Sequence, residues 1–228
     1  METKKVFYSE LAWVLGIVIL AIGTSLMEQA DFGMSMVVAP AYIIHLKVSE
    51  FLPWFTFGMS EYLFQGVLII LTVISVKRFK KGYLFSFVTA VIYGLVLDAC
   101  IWAVSFVPAS TDLLRWIYYF LGMVLCSTGV ALLFHTYIAP EAYELFVKET
   151  AERYGKSISV VKTAYDCCSC LIGVVMSFSF FGLWEFEGVK LGTVFCALVN
   201  GYLIGMISKF INRIFIFRDR FSLRKMFQ

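Results

Sequence analysis

The sequence predicts an all-α, polytopic membrane helix bundle: six transmembrane helices arranged as a 3+3 inverted repeat, with an extra re-entrant or interfacial helix in each half. Three observations carry that prediction. Apolar residues make up 61% of the 228-residue chain, aromatics 18% and charged residues only 15%, a balance that a water-facing surface of this size cannot accommodate. The apolar stretches 11–27, 57–76, 83–107, 116–134, 163–184 and 191–208 each approach the roughly 20 residues a helix needs to cross about 30 Å of hydrocarbon. Finally, WVLGIVILAIGTSLM at 13–27 is echoed by YFLGMVLCSTGVALL at 119–133, with Gly16 matching Gly122, Gly23 matching Gly129 and Trp13 matching Tyr119; Ala90, Gly94 and Asp98 likewise match Ala197, Gly201 and Gly205.

The chain reads as one membrane domain over 1–228, with repeat one at 1–107, repeat two at 112–211 and a basic amphipathic tail at 212–228. Three spans per half is an odd number, so the second half enters the membrane from the opposite side. Lys4-Lys5 before the first span imitates a signal peptide, but that span has a partner at 119–133 and is expected to stay in the mature protein. Next, Glu28-Gln-Ala-Asp31-Phe-Gly33-Met-Ser35 precedes an apolar run, Met36 to Leu46, too short to span. It is expected to be a re-entrant or interfacial half-helix capped by Ser35.

The second and third spans form a hairpin around Lys77-Arg78-Phe79-Lys80-Lys81, and the fourth follows at 116–134. Ala139-Pro140-Glu141 then opens a helix with proline in its first turn and a carboxylate near its positive end. Glu144, Lys148, Glu149, Glu152 and Arg153 surround its apolar residues, so it is expected at the cytoplasmic surface. The last two spans and the tail complete the chain, the tail lying on the anionic inner leaflet. With both termini cytoplasmic, every basic residue of the 19 except Lys47, Arg115 and Lys190 falls inside, which sets the orientation. Six cysteines, Cys100, Cys126, Cys167, Cys168, Cys170 and Cys196, lie within spans and read as small apolar side chains.

The segments Gly23-Thr-Ser-Leu-Met-Glu-Gln-Ala-Asp-Phe-Gly-Met-Ser, Phe57-Gly58 leading to Phe64-Gln65, Gly129-Val-Ala-Leu, Tyr165-Asp166 and Gly188-Val-Lys-Leu-Gly192-Thr193 with Ala197 and Gly201 resemble the YczE/YyaS/YitT-like family of bacterial inner-membrane proteins. The resemblance covers nearly the whole chain. It implies an inner-membrane architecture more firmly than a substrate. That family shows Ala-Asp-Leu-Gly-x-Ser-Pro after the first span, where this chain has Met36 at the proline, and Gly-Val-Arg-x-Gly-Thr before the last, where it has a lysine.

A charge at the centre of a span costs at least ~2.5–3.5 kcal/mol, so Glu61, Asp98 and Asp166 are expected to face the interior, a partner or a water-filled cavity. Asp98 is the leading candidate, with small Gly205 as its counterpart. Gln65 matches Asp166 across the midplane, and the pair is expected to act as polar gates or as a proton or cation relay around a central site to which Asp98 contributes, the plainer reading being interhelical hydrogen-bond glue; Glu61 lies near the outer interface. Glu28, Asp31, Gly33 and Ser35 form a candidate hinge presenting backbone N–H groups to an anionic solute. The glycines and alanines of the repeat are read as packing.

Cys167 and Cys170 share a helix face, but no second ligand pair follows and His45 and His135 fall on opposite membrane sides, so no metal is expected. No cofactor, nucleic acid partner or catalytic chemistry is expected either. The best-fitting function is a secondary-transporter-like carrier of a small amphipathic or anionic solute. The alternatives are a non-transporting membrane interaction or assembly factor, and the substrate-binding subunit of a multicomponent importer. An Asp98 sealed by hydrogen bonds with no adjoining space would favour assembly.

Overall fold

The structure, a computed structural model, describes residues 5–80 and 82–220. Lys4, Lys81 and residues 221–228 of the basic tail lie outside them. The elements run β1 (Lys5–Tyr8), α1 (Ser9–Ala30), α2 (Ala39–Ser49), α3 (Phe57–Val76), α4 (Gly82–Val104), α5 (Asp112–Phe134), α6 (Ala142–Tyr154), α7 (Ile158–Phe181), α8 (Leu191–Ile214) and β2 (Phe215–Arg218). Among the described residues, α1, α3, α4, α5, α7 and α8 are long and apolar enough to cross a membrane, and they coincide with the six expected spans. The protein is therefore an all-α polytopic membrane bundle.

Local chemistry sets where these helices begin. Thr56, Thr111 and Ser157 each place a side-chain oxygen on an N–H of the following first turn, at Met59, Leu114 and Val160, satisfying donors that lipid cannot. In the first half, α2 starts at Ala39 rather than Met36, because Pro40 suits a first turn and fixes the entry there.

At the centre, α1 and α5 run antiparallel. A Cβ on Gly23 would lie 2.7 Å from the Gly122 carbonyl oxygen and one on Gly129 2.7 Å from that of Gly16, so both backbones approach as closely as glycine allows. The remaining packing comes in pairs. Helix α1 packs on α4 and α5 on α8; α3 on α4 and α7 on α8; α2 on α3 and α6 on α7; and, between the halves, α3 on α6 and α2 on α7.

Irregular backbone precedes both short helices, and at membrane depth it must find protein partners. Hydroxyls supply them. Ser169 of α7 donates to the Met36 carbonyl at 2.7 Å and Ser60 of α3 to that of Ala41 at 2.6 Å, while Ser86 and Thr89 of α4 donate to Pro140 and Ala139 at 2.6 and 3.0 Å. The surface placement expected for α6 is thereby corrected. Its first turns are engulfed by α3, α4 and α7, with Tyr143, Glu144, Leu145 and Val147 buried, while Lys148 and the last turn, ending at Gly155 in the left-handed region, are exposed.

The tail is also corrected in its described part. Asn212 to Ile214 extend α8, and Phe215–Arg218 pair in parallel with Lys5–Tyr8, Phe7 packing against Phe215 and Phe217. The two ends of the described residues therefore share one face of the bundle, together with the 77–80 turn and α6. Lys47, Arg115 and Lys190 lie at the opposite face. Gly205, expected as a packing residue, lines an open space instead, since a Cβ there would meet nothing within 4 Å, while one on Gly201 would keep ordinary contact with Thr163 at 3.7 Å.

Candidate functional site

Four carboxyl groups and one ammonium meet between α3, α6 and α7. Glu61, Glu141, Glu144, Lys162 and Asp166 are each 4% exposed or less. Glu61 Oε2 accepts the Tyr143 hydroxyl at 2.6 Å. The Gln65 amide joins α3 to the start of α6, donating to Glu141 Oε2 at 3.0 Å and accepting the Ala142 N–H at 2.9 Å, one of the donors a helix start leaves free. Lys162 Nζ lies 3.0 Å from Asp166 Oδ1, one turn along α7, and 3.8 Å from Glu144 Oε1.

One oxygen each of Glu61, Glu141 and Glu144, both oxygens of Asp166 and Lys162 Nζ have no hydrogen-bond partner among the described residues. Burying such groups unsatisfied costs several kcal/mol, so a full set of charges is not tolerated here. Burial, with Glu144 and Glu61 close by, pushes the Glu141 carboxyl well above the usual carboxylate range, and burial raises Glu144 too against the opposing pull of Lys162.

Beside them lies a cavity of about 20 Å³ open to the centre of a water molecule, walled by Glu141, Glu144, Tyr143, Lys162, Asn200 and Ser35 among others. That is room for about one water. A much larger vestibule, about 760 Å³, opens on the face that carries the chain ends, between α4, α5, α6, α7 and α8. Its rim is braced by Lys80 and Tyr83, which both donate to Glu149 of α6, and its wall includes His135, Gly201, Gly205 and Lys162. Lys162 borders both the vestibule and the inner cavity.

The opposite face is closed. Asp31, in the left-handed conformation that ends α1, takes Arg115 Nη2 at 3.1 Å and Lys190 Nζ at 2.5 Å. These exposed pairs contribute little by themselves. The seal is the packing around them: the Phe32 ring lies between the Arg115 guanidinium, 5.2 Å away, and Trp116, 4.4 Å away, and the Phe32 carbonyl accepts the Gly192 N–H at 3.0 Å. Gly33 has φ +111, and a Cβ there would lie 2.5 Å from Thr193 Oγ1, so only glycine fits the crossing of this loop over the start of α8.

The sequence-derived candidates therefore separate into three groups. Gln65 and Asp166 belong to the acidic centre, where they flank the same helix, α6, rather than forming mirrored gates. Asp31 and Gly33 belong to the closed face, with Glu28 half-buried on the last turn of α1, where its carbonyl accepts the Asp31 N–H at 3.1 Å. Ser35 borders the inner cavity, but its role as a side-chain cap is corrected: its carbonyl receives the Val38 and Ala39 N–H groups, and Pro40 has none to offer.

Asp98 is displaced from the centre. Its Oδ2 accepts the Thr56 hydroxyl at 2.7 Å and its Oδ1 the Gly58 N–H at 2.8 Å, so it caps α3 at the closed face, where a negative charge suits a helix start. It borders neither the inner cavity nor the vestibule.

Glu141, Glu144 and Lys162 escaped the sequence reading. The first two looked like the solvated face of a surface helix, and Lys162 stood just outside the expected fifth span, which begins a full turn earlier at Ile158. The available signal was the four-residue spacing of Lys162 and Asp166, a favourable ion-pair register on a helix. Among the described residues, no group of three or more His, Cys, Asp or Glu side chains is arranged to hold a metal ion.

No curated protein and no solved structure matches the chain. One family does. Its model, described as a family of unknown function (DUF6198), matches residues 7–209, most of the chain and every helix of the site, and the protein belongs to that family.

Proposed function

We propose that this membrane protein is a secondary-transporter-like carrier that moves a small solute through the acidic centre, with its chain ends cytoplasmic in the bacterial inner membrane. The observation that carries the reading is a pair of buried carboxyls with unpartnered oxygens, Glu141 and Glu144, on the wall of a water-sized cavity that shares Lys162 with a large vestibule. Intramembrane ionisable groups that line a cavity mark solute or proton paths. The 3+3 inverted repeat is part of the proposal. Gly16 on Gly129 and Gly122 on Gly23 are equivalent contacts under the sequence repeat, as a two-fold axis in the membrane plane requires, and the paired helix packing agrees. The basic bias toward the face of the chain ends supports the orientation.

A vestibule on one face and a seal on the other describe a carrier open to one side. The anionic solute expected from the 28–35 segment loses support, because at the start of α2 the Val38, Ala39 and Tyr42 amides are bonded to backbone carbonyls and Pro40 has none. Assembly remains the second reading, favoured by one observation: Asp98 is fully engaged as a helix cap. The test is reconstitution into liposomes loaded with a pH-sensitive dye and challenged with gradients of small amines, amino acids and carboxylates. A carrier gives a solute-dependent internal pH change that is lost in Glu144→Gln. An assembly factor gives traces identical to those of empty liposomes for the whole panel.

A further inference from the structure

The ammonium of Lys162 lies beside Asp166 and Glu144, with Glu141 on the same cavity wall, and Glu61 is buried nearby on α3. An ammonium has three N–H donors and the orphan oxygens outnumber them. Lys162 makes no aligned hydrogen bond among the described residues: its Nζ stands 3.0 Å from Asp166 Oδ1, 3.8 Å from Glu144 Oε1 and 5.8 Å from the centre of the Tyr165 ring. A fixed structural bridge at this depth needs better geometry to offset desolvation. Lysine is a compact charge on a flexible four-carbon stem, and this one stands where the vestibule meets the cavity.

We propose that Lys162 is a tethered occupant of an organic-cation site: its ammonium holds the place that a small cation bearing N–H donors takes when the carrier loads, and it withdraws toward the vestibule as that cation arrives. The inference rests on the carrier reading and deepens it by naming the solute class. Two features select an N–H donor over a bare metal ion. The resident group is itself an ammonium, and the described carboxylates form no group of three or more arranged around a common metal position. The carboxyl excess over ammonium rejects anions. Glu141 Oε1 and Glu144 Oε2, buried on the cavity wall and unpartnered, are the acceptors such a cation meets first. A planar cation such as guanidinium engages two carboxylate oxygens at once.

The probe is guanidinium at millimolar concentration, against sodium at equal ionic strength, on the purified full chain. Lys162 of the wild type is acetylated with a water-soluble active ester and quantified by mass spectrometry, with exposed Lys148 at the vestibule as the internal reference. Acetylation of Lys162 is expected to rise at least fivefold with guanidinium and not with sodium, while Lys148 is unchanged. No rise overturns the proposal, and an equal rise with sodium overturns its choice of ligand. In a second arm, Lys162→Met removes the tethered competitor and is expected to bind labelled guanidinium at least tenfold more tightly than the wild type; unchanged or weaker binding in a monodisperse variant overturns it, and if that variant misfolds the wild-type labelling decides. Should guanidinium leave Lys162 untouched while another solute drives flux, the carrier reading stands and this inference falls. Should Lys162 be released while no solute in the panel moves, the cation site stands and the carrier reading falls.

Discussion

Replacing Gly23 by alanine adds one methyl group at the tightest point of the α1–α5 seam. That carbon would lie 2.7 Å from both the Cys126 amide nitrogen and the Gly122 carbonyl oxygen, and 2.8 Å from Cys126 Sγ. Ordinary contact is ~3.5–4.0 Å, and two of the three atoms are backbone that cannot rotate away, so α5 must retreat by roughly 0.7 Å or more. Overpacking of this kind costs ~1–3 kcal/mol, against which alanine regains up to about 1 kcal/mol of helix propensity over glycine. A net loss of about 1–2 kcal/mol follows.

Gly205→Ala is the control, since nothing lies within 4 Å of its Cβ and it keeps the propensity gain. Thermal unfolding in detergent, followed by intrinsic fluorescence, reads both. Gly129→Ala and Gly122→Ala, which press on opposite carbonyls at 2.7 Å, are expected to match Gly23→Ala, and Gly16→Ala to cost less because its closest neighbour is the Leu133 side chain at 3.0 Å. The double variant Gly23→Ala/Gly122→Ala should cost less than the two singles together, because one separation of the helices relieves both clashes. A Gly23→Ala protein as stable as Gly205→Ala refutes the close antiparallel seam.

Three further predictions concern the polar groups. The native Glu141 pKa lies above its ordinary 4.5, so the folded protein holds a proton that the unfolded chain has released, and stability falls as pH rises from 4.5 through the native value; Glu141→Gln should flatten that slope in melting curves taken from acid to neutral pH. Gln65→Leu strips the Ala142 N–H and Glu141 of partners and should cost ~1–3 kcal/mol in the same assay, where Gln65→Glu tests whether the amide donor matters separately. Asp98→Asn keeps a hydrogen-bonding group at the start of α3 and should cost about 1 kcal/mol or less while leaving solute-driven flux intact; loss of flux in a stably folded variant would return Asp98 to the solute path.

The spans were legible because length and apolar content are local properties, and α2 was legible because an apolar run too short to cross a membrane has few other places to go. Helix α6 was misread for the converse reason. Its glutamates look solvated in sequence, and the groups that receive them, Gln65 and Tyr83 from the first half and Lys162 from the next helix, come from elsewhere in the chain. Asp98 was misread by the same blindness: its partners Thr56 and Gly58 lie on the preceding span, so a helix cap looked like an unpartnered charge. Gln65 and Asp166 stood out in the sequence as polar groups in apolar helices. Their convergence on one helix depends on how the halves interlock, which no local pattern encodes.

One-sided access to the acidic centre is tested most directly by thiol labelling in sealed vesicles of both orientations, using a membrane-impermeant reagent and the unmodified protein as background. Gly205→Cys places a thiol in the open wall of the vestibule, and Thr193→Cys places one under the Gly33 crossing at the closed face. The expected result is labelling of Gly205→Cys only from the face that carries the chain ends, and of Thr193→Cys from neither. Rapid labelling of Thr193→Cys from the opposite face, with Gly205→Cys unreactive from both, would contradict it.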